Sequence, residues 1–271
     1  MGVMTVSDPG SPLRVLQLTD PHLMADPSGA LLGVNTRDSL DAVIAHIKQS
    51  RIMPDLILAT GDLAQDGSPE AYQVLKLKLQ QFDCPALWIP GNHDNASHLR
   101  AAVAGTPADQ RSLVMGGWLF ILLDSAVPGK VYGELAASEL AFLQGQLAAH
   151  PGMPTLVALH HHPVDIGSDW MARIGLRQPE QLWAALGQSE QVRVLLWGHI
   201  HQEWDTYQGG MRLLATPSTC IQFTSGSRRF AVEDIAPGYR WLELYPNGNL
   251  QTRVERATEF RFELDSDSTG Y

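Results

Sequence analysis

Between Leu13 and Trp197 the chain alternates apolar runs of five to seven residues with longer segments of helical period. The runs "LRVLQLT" (13–19), "DLILAT" (55–60), "ALWIP" (86–90), "WLFILLD" (118–124), "TLVALH" (155–160) and "VRVLLW" (192–197) read as strands. Thr36 is placed to cap a helix to about Ser50, with Leu40, Val43, Ile44 and Ile47 on one face. Ser68-Pro69-Glu70 starts the next, with proline at the first helical position and an end near Phe82. Further helices are expected after Asn95, over 138–150 and over 179–186. This alternation selects an α/β architecture.

After Trp197 the rhythm changes. Gly209-Gly210 and Asn247-Gly248 each sit between two short runs, which signals hairpins within 203–216 and 239–255. An α/β first half and a strand-rich second half predict two packed sheets with helices outside. No repeat or composition break divides the chain. The expected organisation is one domain over 14–255, an N-terminal extension over 1–13 and a partly flexible tail over 256–271, frayed after about Phe262.

A formal charge of −10 gives no general basic field, so neither nucleic acid nor an anionic membrane is an expected partner. Only Cys84 and Cys220 are present, too few for a disulfide framework, and Cys220 beside Pro217-Ser218-Thr219 reads as buried. The opening "MGVMTVSDPGSPLR" lacks the basic start and apolar core of a secretory leader, and runs such as "WLFILL" are too short to span a bilayer. The expected location is a reducing cytoplasm.

Five strands end in potential ligands: Asp20-Pro21-His22, Gly61-Asp62, Gly91-Asn92-His93-Asp94, His160-His161-His162-Pro163 and Gly198-His199-Ile200-His201. Seven of the ten histidines lie there. Loops beyond the carboxyl ends of strands form the ligand crevice of open α/β sheets, so the clusters are expected to converge. Carboxylate, imidazole and amide oxygen without thiolate suit borderline-hard divalent ions rather than structural zinc. Two ions need a bridging group, and Asp62, alone in its loop, fits that place. Asp-x-His and His-x-His have period two, which in extended backbone turns both side chains the same way. The same alternation sets His161 against His160 and His162, and proline after His162 favours extended backbone there. His161 is therefore the expected ligand, and His160 takes its place if the backbone leaves the strand one residue earlier.

Taken in order, Asp20-x-His22, Gly61-Asp62, Gly91-Asn92-His93-Asp94, His161-His162-Pro163 and Gly198-His199-x-His201 resemble the calcineurin-like metallophosphoesterase family over about residues 14–255. The stretches "LLGVNT", "TGDLAQD", "HHHPV", "GHIHQE", "LLATPSTC" and "IAPGYR" are similar to those of bacterial class III cyclic-AMP phosphodiesterases. The resemblance implies a four-layer αββα sandwich, two mixed β-sheets flanked by helices, with a dinuclear centre. It implies that Asp20, His22, Asp62 and His201 bind one divalent ion and Asp62, Asn92, His161 and His199 the other, with Fe2+ usual and Mn2+ the alternative. The implied reaction is hydrolysis of 3′,5′-cyclic AMP to 5′-AMP by a metal-bridging hydroxide, with His22, Asp62, Asn92 and His93 also meeting the substrate.

His93 adjoins a ligand without being one, so its expected role is proton donation to the leaving alkoxide or stabilisation of phosphoryl charge. Some relatives orient this histidine with an aspartate three residues after the bridging one. Here that position is Gln65, which leaves Asp66 and Asp94 as candidates. In the segment 164–179, Trp170 is a candidate for stacking on adenine and Arg173 or Arg177 for meeting substrate; the other reading is a surface loop with a packing tryptophan. Rival functions are a broader phosphodiesterase acting on other cyclic nucleotides or glycerophosphodiesters, and a non-catalytic binding scaffold.

Overall fold

The computed structural model describes residues 10–187 and 189–265. The elements follow the expected order. Strand β1 (Leu13–Leu18) leads through the short pair β2 (Ala30–Leu31) and β3 (Val34–Asn35) into α1 (Thr36–Gln49). Then come β4 (Leu56–Thr60), α2 (Pro69–Leu79), β5 (Ala86–Ile89), α3 (Ala96–Val103), β6 (Ser112–Met115) and β7 (Trp118–Leu122). Helix α4 (Ala137–Ala149), β8 (Thr155–Ala158), α5 (Pro179–Leu186) and β9 (Val192–Trp197) complete the alternating part. The strand-rich part holds β10 (Trp204–Gln208), β11 (Met211–Ala215), β12 (Gln222–Phe223), β13 (Val232–Glu233), β14 (Gly238–Leu244) and β15 (Leu250–Arg256).

Two mixed sheets result, in the orders β15-β14-β1-β4-β5 and β10-β11-β9-β8-β7-β6. In the first, β1, β4 and β5 are parallel, and β14 returns antiparallel to β1. In the second, β7, β8, β9 and β11 are parallel. Residues such as Val15, Leu58 and Leu87 from the first sheet meet Phe120, Leu156 and Leu196 from the second in one buried layer. Their alternates, including Leu16, Ile57 and Trp88, face α1, α2 and α3, while Ile121, Val157 and Leu195 face α4 and α5. The four layers are therefore helix, sheet, sheet, helix.

Local chemistry sets the boundaries. Asn35, not Thr36, caps α1: its Oδ1 accepts from the amides of Arg37 and Asp38, both at 3.0 Å, and the threonine becomes the first helical residue. One side-chain oxygen thereby satisfies two otherwise unpaired amides. Ser68 caps α2 as expected, and the helix tightens into a 3-10 turn over Gln80–Phe82. Asn95 caps α3.

The two sheets are also joined by polar groups. Arg240 on β14, 1% exposed, donates to Ala215 O (2.8 Å), Thr216 Oγ1 (3.1 Å) and Thr252 Oγ1 (3.0 Å). Thr216 donates in turn to Gln17, whose amide donates to Thr60 Oγ1 (2.8 Å) and Trp197 O (3.0 Å). This buried relay reaches the carboxyl ends of β4 and β9.

Beyond β15 the chain turns back over the second sheet. Phe260, Phe262 and Leu264 are half-packed against the core there, and Asp265 donates its amide to Leu32 O at 2.9 Å. Residues 266–271, and 1–9 of the expected N-terminal extension, lie outside the described residues.

Candidate metal centre

The five clusters sit beyond the carboxyl ends of β1, β4, β5, β8 and β9, at one edge of the sandwich. Their backbones are stitched together across the two sheets. Asp20 N donates to Gly61 O and His22 N to Asp62 O, each at 3.0 Å, while Gly198 N reaches His160 O at 3.2 Å. His199 N donates to the carboxylate of Asp20 at 3.0 Å, tying the second sheet to the first. A Cβ at Gly91 would collide with the Asp62 carboxylate, and one at Gly198 with the Thr19 hydroxyl. Glycine at both places lets the loops approach.

The expectation that each His/Asp pair lies in extended backbone is overturned. Asp20, His22, Asp62, His199 and His201 all have positive φ, between 47° and 67°. Both members of each pair are bent into the left-handed region, and the side chains converge through these turns. Such conformations cost non-glycine residues about 1–3 kcal/mol each and cluster where a site dictates geometry.

Hydrogen bonding fixes which atom of each ring faces inward. His201 Nδ1 donates to Ile221 O (2.9 Å) and His22 Nδ1 to Gln65 Oε1 (2.6 Å), which leaves their Nε2 lone pairs 3.2 Å apart. His199 Nε2 donates to Ile174 O at 3.0 Å, which bares Nδ1. His161 Nδ1 meets Ser125 Oγ at 2.9 Å, and His160 Nδ1 donates to Thr60 O at 2.8 Å. Asp62 Oδ1 accepts the amide of His93 at 2.9 Å, so Oδ2 is its remaining inward atom.

Asp62 Oδ2, Asn92 Oδ1, His160 Nε2, His161 Nε2 and His199 Nδ1 are all buried without a hydrogen-bond partner. Burying one such group unsatisfied costs roughly 1–3 kcal/mol, and four of these five residues belong to donor groups that share His160. Within 4.8 Å of one another lie donor atoms of Asp20, His22 and His201; of His160, His161 and His199; and of Asp20, Asp62 and His160. Lone pairs facing lone pairs and carboxylates suit cations, so the residues fit a dinuclear centre. They bring together every ligand expected from the sequence, and His160 besides.

Burial favours the neutral imidazole at three of these histidines and is outweighed at a fourth. Burial holds His22 down to about 3, and holds His161 and His199 well below the ordinary imidazole range. Burial opposes charge on His160 as well, but Asp62 and Asp20 beside it outweigh that and push it up to about 9. Burial would raise the Asp62 carboxyl, yet His160 and His93 hold it well below the usual range.

Both carboxylates proposed for His93 accept from other donors of these loops. Asp66 accepts from Ala25 N (2.8 Å) and Ser68 N (3.0 Å). Asp94 accepts from Gly91 N (2.8 Å), Ala64 N (2.9 Å), Leu63 N (3.1 Å) and Tyr72 Oη (2.9 Å). It is the hub that shapes the loops carrying Asp62 and His93. Replacing Asp94 by Ala would strand several buried donors, so we expect a loss of about 3 kcal/mol and a Tm lowered by roughly 6–12 °C in calorimetry. A shift under about 2 °C would remove it from that structural role. Gln65 orients His22, accepting from its Nδ1 at 2.6 Å.

Beside the centre lies a cavity of about 250 Å3 lined by Asn92, His93, Val131, Trp170, Ile174, His199 and Phe230. Trp170 thus stands at the site, edge-on to Phe223 (5.1 Å between ring centroids) and Phe230 (5.4 Å). Phe223 stacks on His201 at 4.1 Å. Arg177 is laid over the Tyr132 ring at 3.3 Å, and Arg173 is exposed. Phe223, Phe230 and Ser125 were not legible as site residues, because no spacing motif marks them. His160 had a signal in the triple histidine, but strand alternation favoured His161 as the ligand.

The chain matches the model of the calcineurin-like phosphoesterase family over residues 13–203 and belongs to that family. It is 43% identical over 257 residues to the 3′,5′-cyclic adenosine monophosphate phosphodiesterase CpdA of Pseudomonas aeruginosa, covering 95% of this chain and 94% of that protein. It is 44% identical over 261 residues to CpdA of Escherichia coli K12, covering 96% and 95%. The fold is shared with a dimetal phosphatase from Danio rerio, at a TM-score of 0.64 and 13% identity, covering 89% of this chain and 98% of that one.

Proposed function

We propose that this chain is a dinuclear-metal phosphodiesterase that hydrolyses 3′,5′-cyclic AMP to 5′-AMP. The carrying observation is the set of buried, unpartnered donors from both sheets around Asp62 Oδ2. The choice of cyclic AMP rests on the similarity to CpdA proteins over nearly the whole chain.

Asp20, His22, Asp62 and His201 would hold one ion and Asp62, Asn92, His161 and His199 the other, with iron or manganese suited to this oxygen and nitrogen set. A bound pair of divalent ions supplies an acidified water near neutral pH and positive charge for the phosphate oxygens. The protein otherwise carries a net charge of −10, so an anionic substrate is drawn by the centre rather than by the surface. Asp62 keeps its inward oxygen in place through the His93 amide. His93 holds a proton for the departing 3′ oxygen. Asn92 and His93 form the wall between the centre and the aromatic cavity, where Trp170 meets the base. The reading places the enzyme in the cytoplasm, in keeping with two free cysteines and no described helix long and apolar enough to cross a membrane.

Stripped protein reconstituted with Fe2+ or Mn2+ and assayed on cyclic AMP, cyclic GMP and bis(p-nitrophenyl) phosphate tests this directly. A preference for cyclic AMP of roughly tenfold or more in kcat/KM is expected. Equal rates would point to the broader phosphodiesterase, and protein that cannot be loaded with metal to the scaffold. Trp170→Ala should raise KM for cyclic AMP about tenfold with kcat little changed, since base stacking contributes roughly 1–3 kcal/mol. An unchanged KM would return Trp170 to packing alone.

A further inference from the structure

Asp20 enters the centre from the end of β1 with its backbone held on both sides. Its amide donates to Gly61 O at 3.0 Å, and its carbonyl accepts the Ser218 hydroxyl at 2.7 Å. Its two carboxylate oxygens are treated unequally. Oδ2 accepts the Thr19 hydroxyl at 2.6 Å and the His199 amide at 3.0 Å. Oδ1 shares that amide at 3.2 Å and lies 3.4 Å from His201 Nε2 and 4.0 Å from His160 Nε2. A carboxylate oxygen offers about two lone-pair directions, so protein donors fill Oδ2 while Oδ1 faces the imidazoles. Thr19 and Asp20 are both fully buried. The hydroxyl has one proton and a second acceptor within reach, Thr60 O at 3.2 Å. That carbonyl already takes His160 Nδ1–H at 2.8 Å, and an anionic oxygen at the shorter distance is the stronger acceptor. Glycine at 198 keeps the place open, since a Cβ there would collide with the Thr19 oxygen and crowd Asp20 Oδ2.

We propose that Thr19 is a positioning residue of the metal centre, whose hydroxyl commits Asp20 to offer an ion Oδ1 alone. The inference rests on the dinuclear reading above and deepens it, because it names the group that turns a two-oxygen carboxylate into a one-oxygen ligand. Without that bond the carboxylate swings about its Cβ–Cγ axis, and ordering it again on binding weakens the hold on the ion. The competing role is a hydroxyl that serves only the fold, through Thr60 O.

The experiment uses the full chain, stripped and reloaded with Mn2+, with ion affinities taken from chelator competition and Tm measured on the stripped protein. Thr19→Val keeps the shape and removes the proton, whereas Thr19→Ser keeps the hydroxyl. The valine variant should bind the ion on the Asp20 side about 10–100-fold more weakly, the usual effect of losing a group that orients a ligand. The serine variant should recover most of that affinity. A valine variant that binds both ions as tightly as the wild type overturns the proposal, because a hydroxyl that serves only the fold moves Tm alone. A serine variant as weak as the valine one overturns it too. A wild-type chain that takes up no ion pair overturns the dinuclear reading itself, and this proposal with it. Should the valine variant not fold, proton NMR of the wild type loaded with Zn2+ decides. The Thr19 hydroxyl proton should persist there as a slowly exchanging signal. Its disappearance on loading would show Oδ2 given over to the ion and overturn the proposal.

Discussion

Asp62→Asn should lower kcat/KM for cyclic AMP by at least about 10³-fold, some 4 kcal/mol of transition-state stabilisation, and should abolish stable binding of the second ion. The substitution is nearly isosteric. Its carbonyl oxygen can still accept the His93 amide, as Oδ1 does at 2.9 Å. What disappears is the negative charge on Oδ2, the atom that stands unpartnered at the meeting point of the donor groups. An amide in either orientation gives the two ions one weak oxygen or none to share. Metal stoichiometry, kcat/KM and the Tm of the metal-free protein should be measured together. A variant that retains two ions and more than a tenth of the activity would show that Asp62 does not bridge.

The second large effect concerns His93. Its alanine variant should keep both ions yet lose about 10²–10⁴-fold in kcat on cyclic AMP, the usual range for a general acid. The substrate comparison makes the test specific. A ribose 3′ alkoxide is a poor leaving group and needs the proton, whereas p-nitrophenolate leaves without one. The loss on bis(p-nitrophenyl) phosphate should therefore be several times smaller than on cyclic AMP. Equal losses on both would assign His93 to phosphoryl charge rather than to the leaving group. His93 sits edge-on to His22, with ring centres 5.2 Å apart, so metal content must be verified in the variant.

Much of this was readable because the fold puts chemistry at strand ends. The buried runs located β1, β4, β5, β7, β8 and β9, and the residues after five of them named every expected donor. Asp62 was read as the shared carboxylate because no other ligand candidate stands in its loop, and the structure brings it beside donors of both sheets. The backbone at those donors was not readable. Period two predicted extended pairs, but the loops must turn sharply to stay over the sheet edges, and left-handed bends at Asp20, His22, His199 and His201 did what the pleat was expected to do. The same assumption of a continuing strand set His160 aside. Asp94 looked like a partner for His93 because it adjoins it in sequence, yet three amides and the Tyr72 hydroxyl claim it. Phe230 lines the cavity and Phe223 stacks on His201 from a region without any pattern, so only three-dimensional packing reveals them.

The donors are drawn from Asp20 through His201, and β1, which carries the first of them, lies between β4 and the late strand β14. A nascent chain on the ribosome therefore has no complete set of these donors until the second sheet has emerged, and β1 has no partner on its β14 side until that strand arrives. Assembly of the donor set is thus coupled to closure of the whole sandwich, and a chain shortened before β14 would leave β1 an unpaired edge beneath the centre.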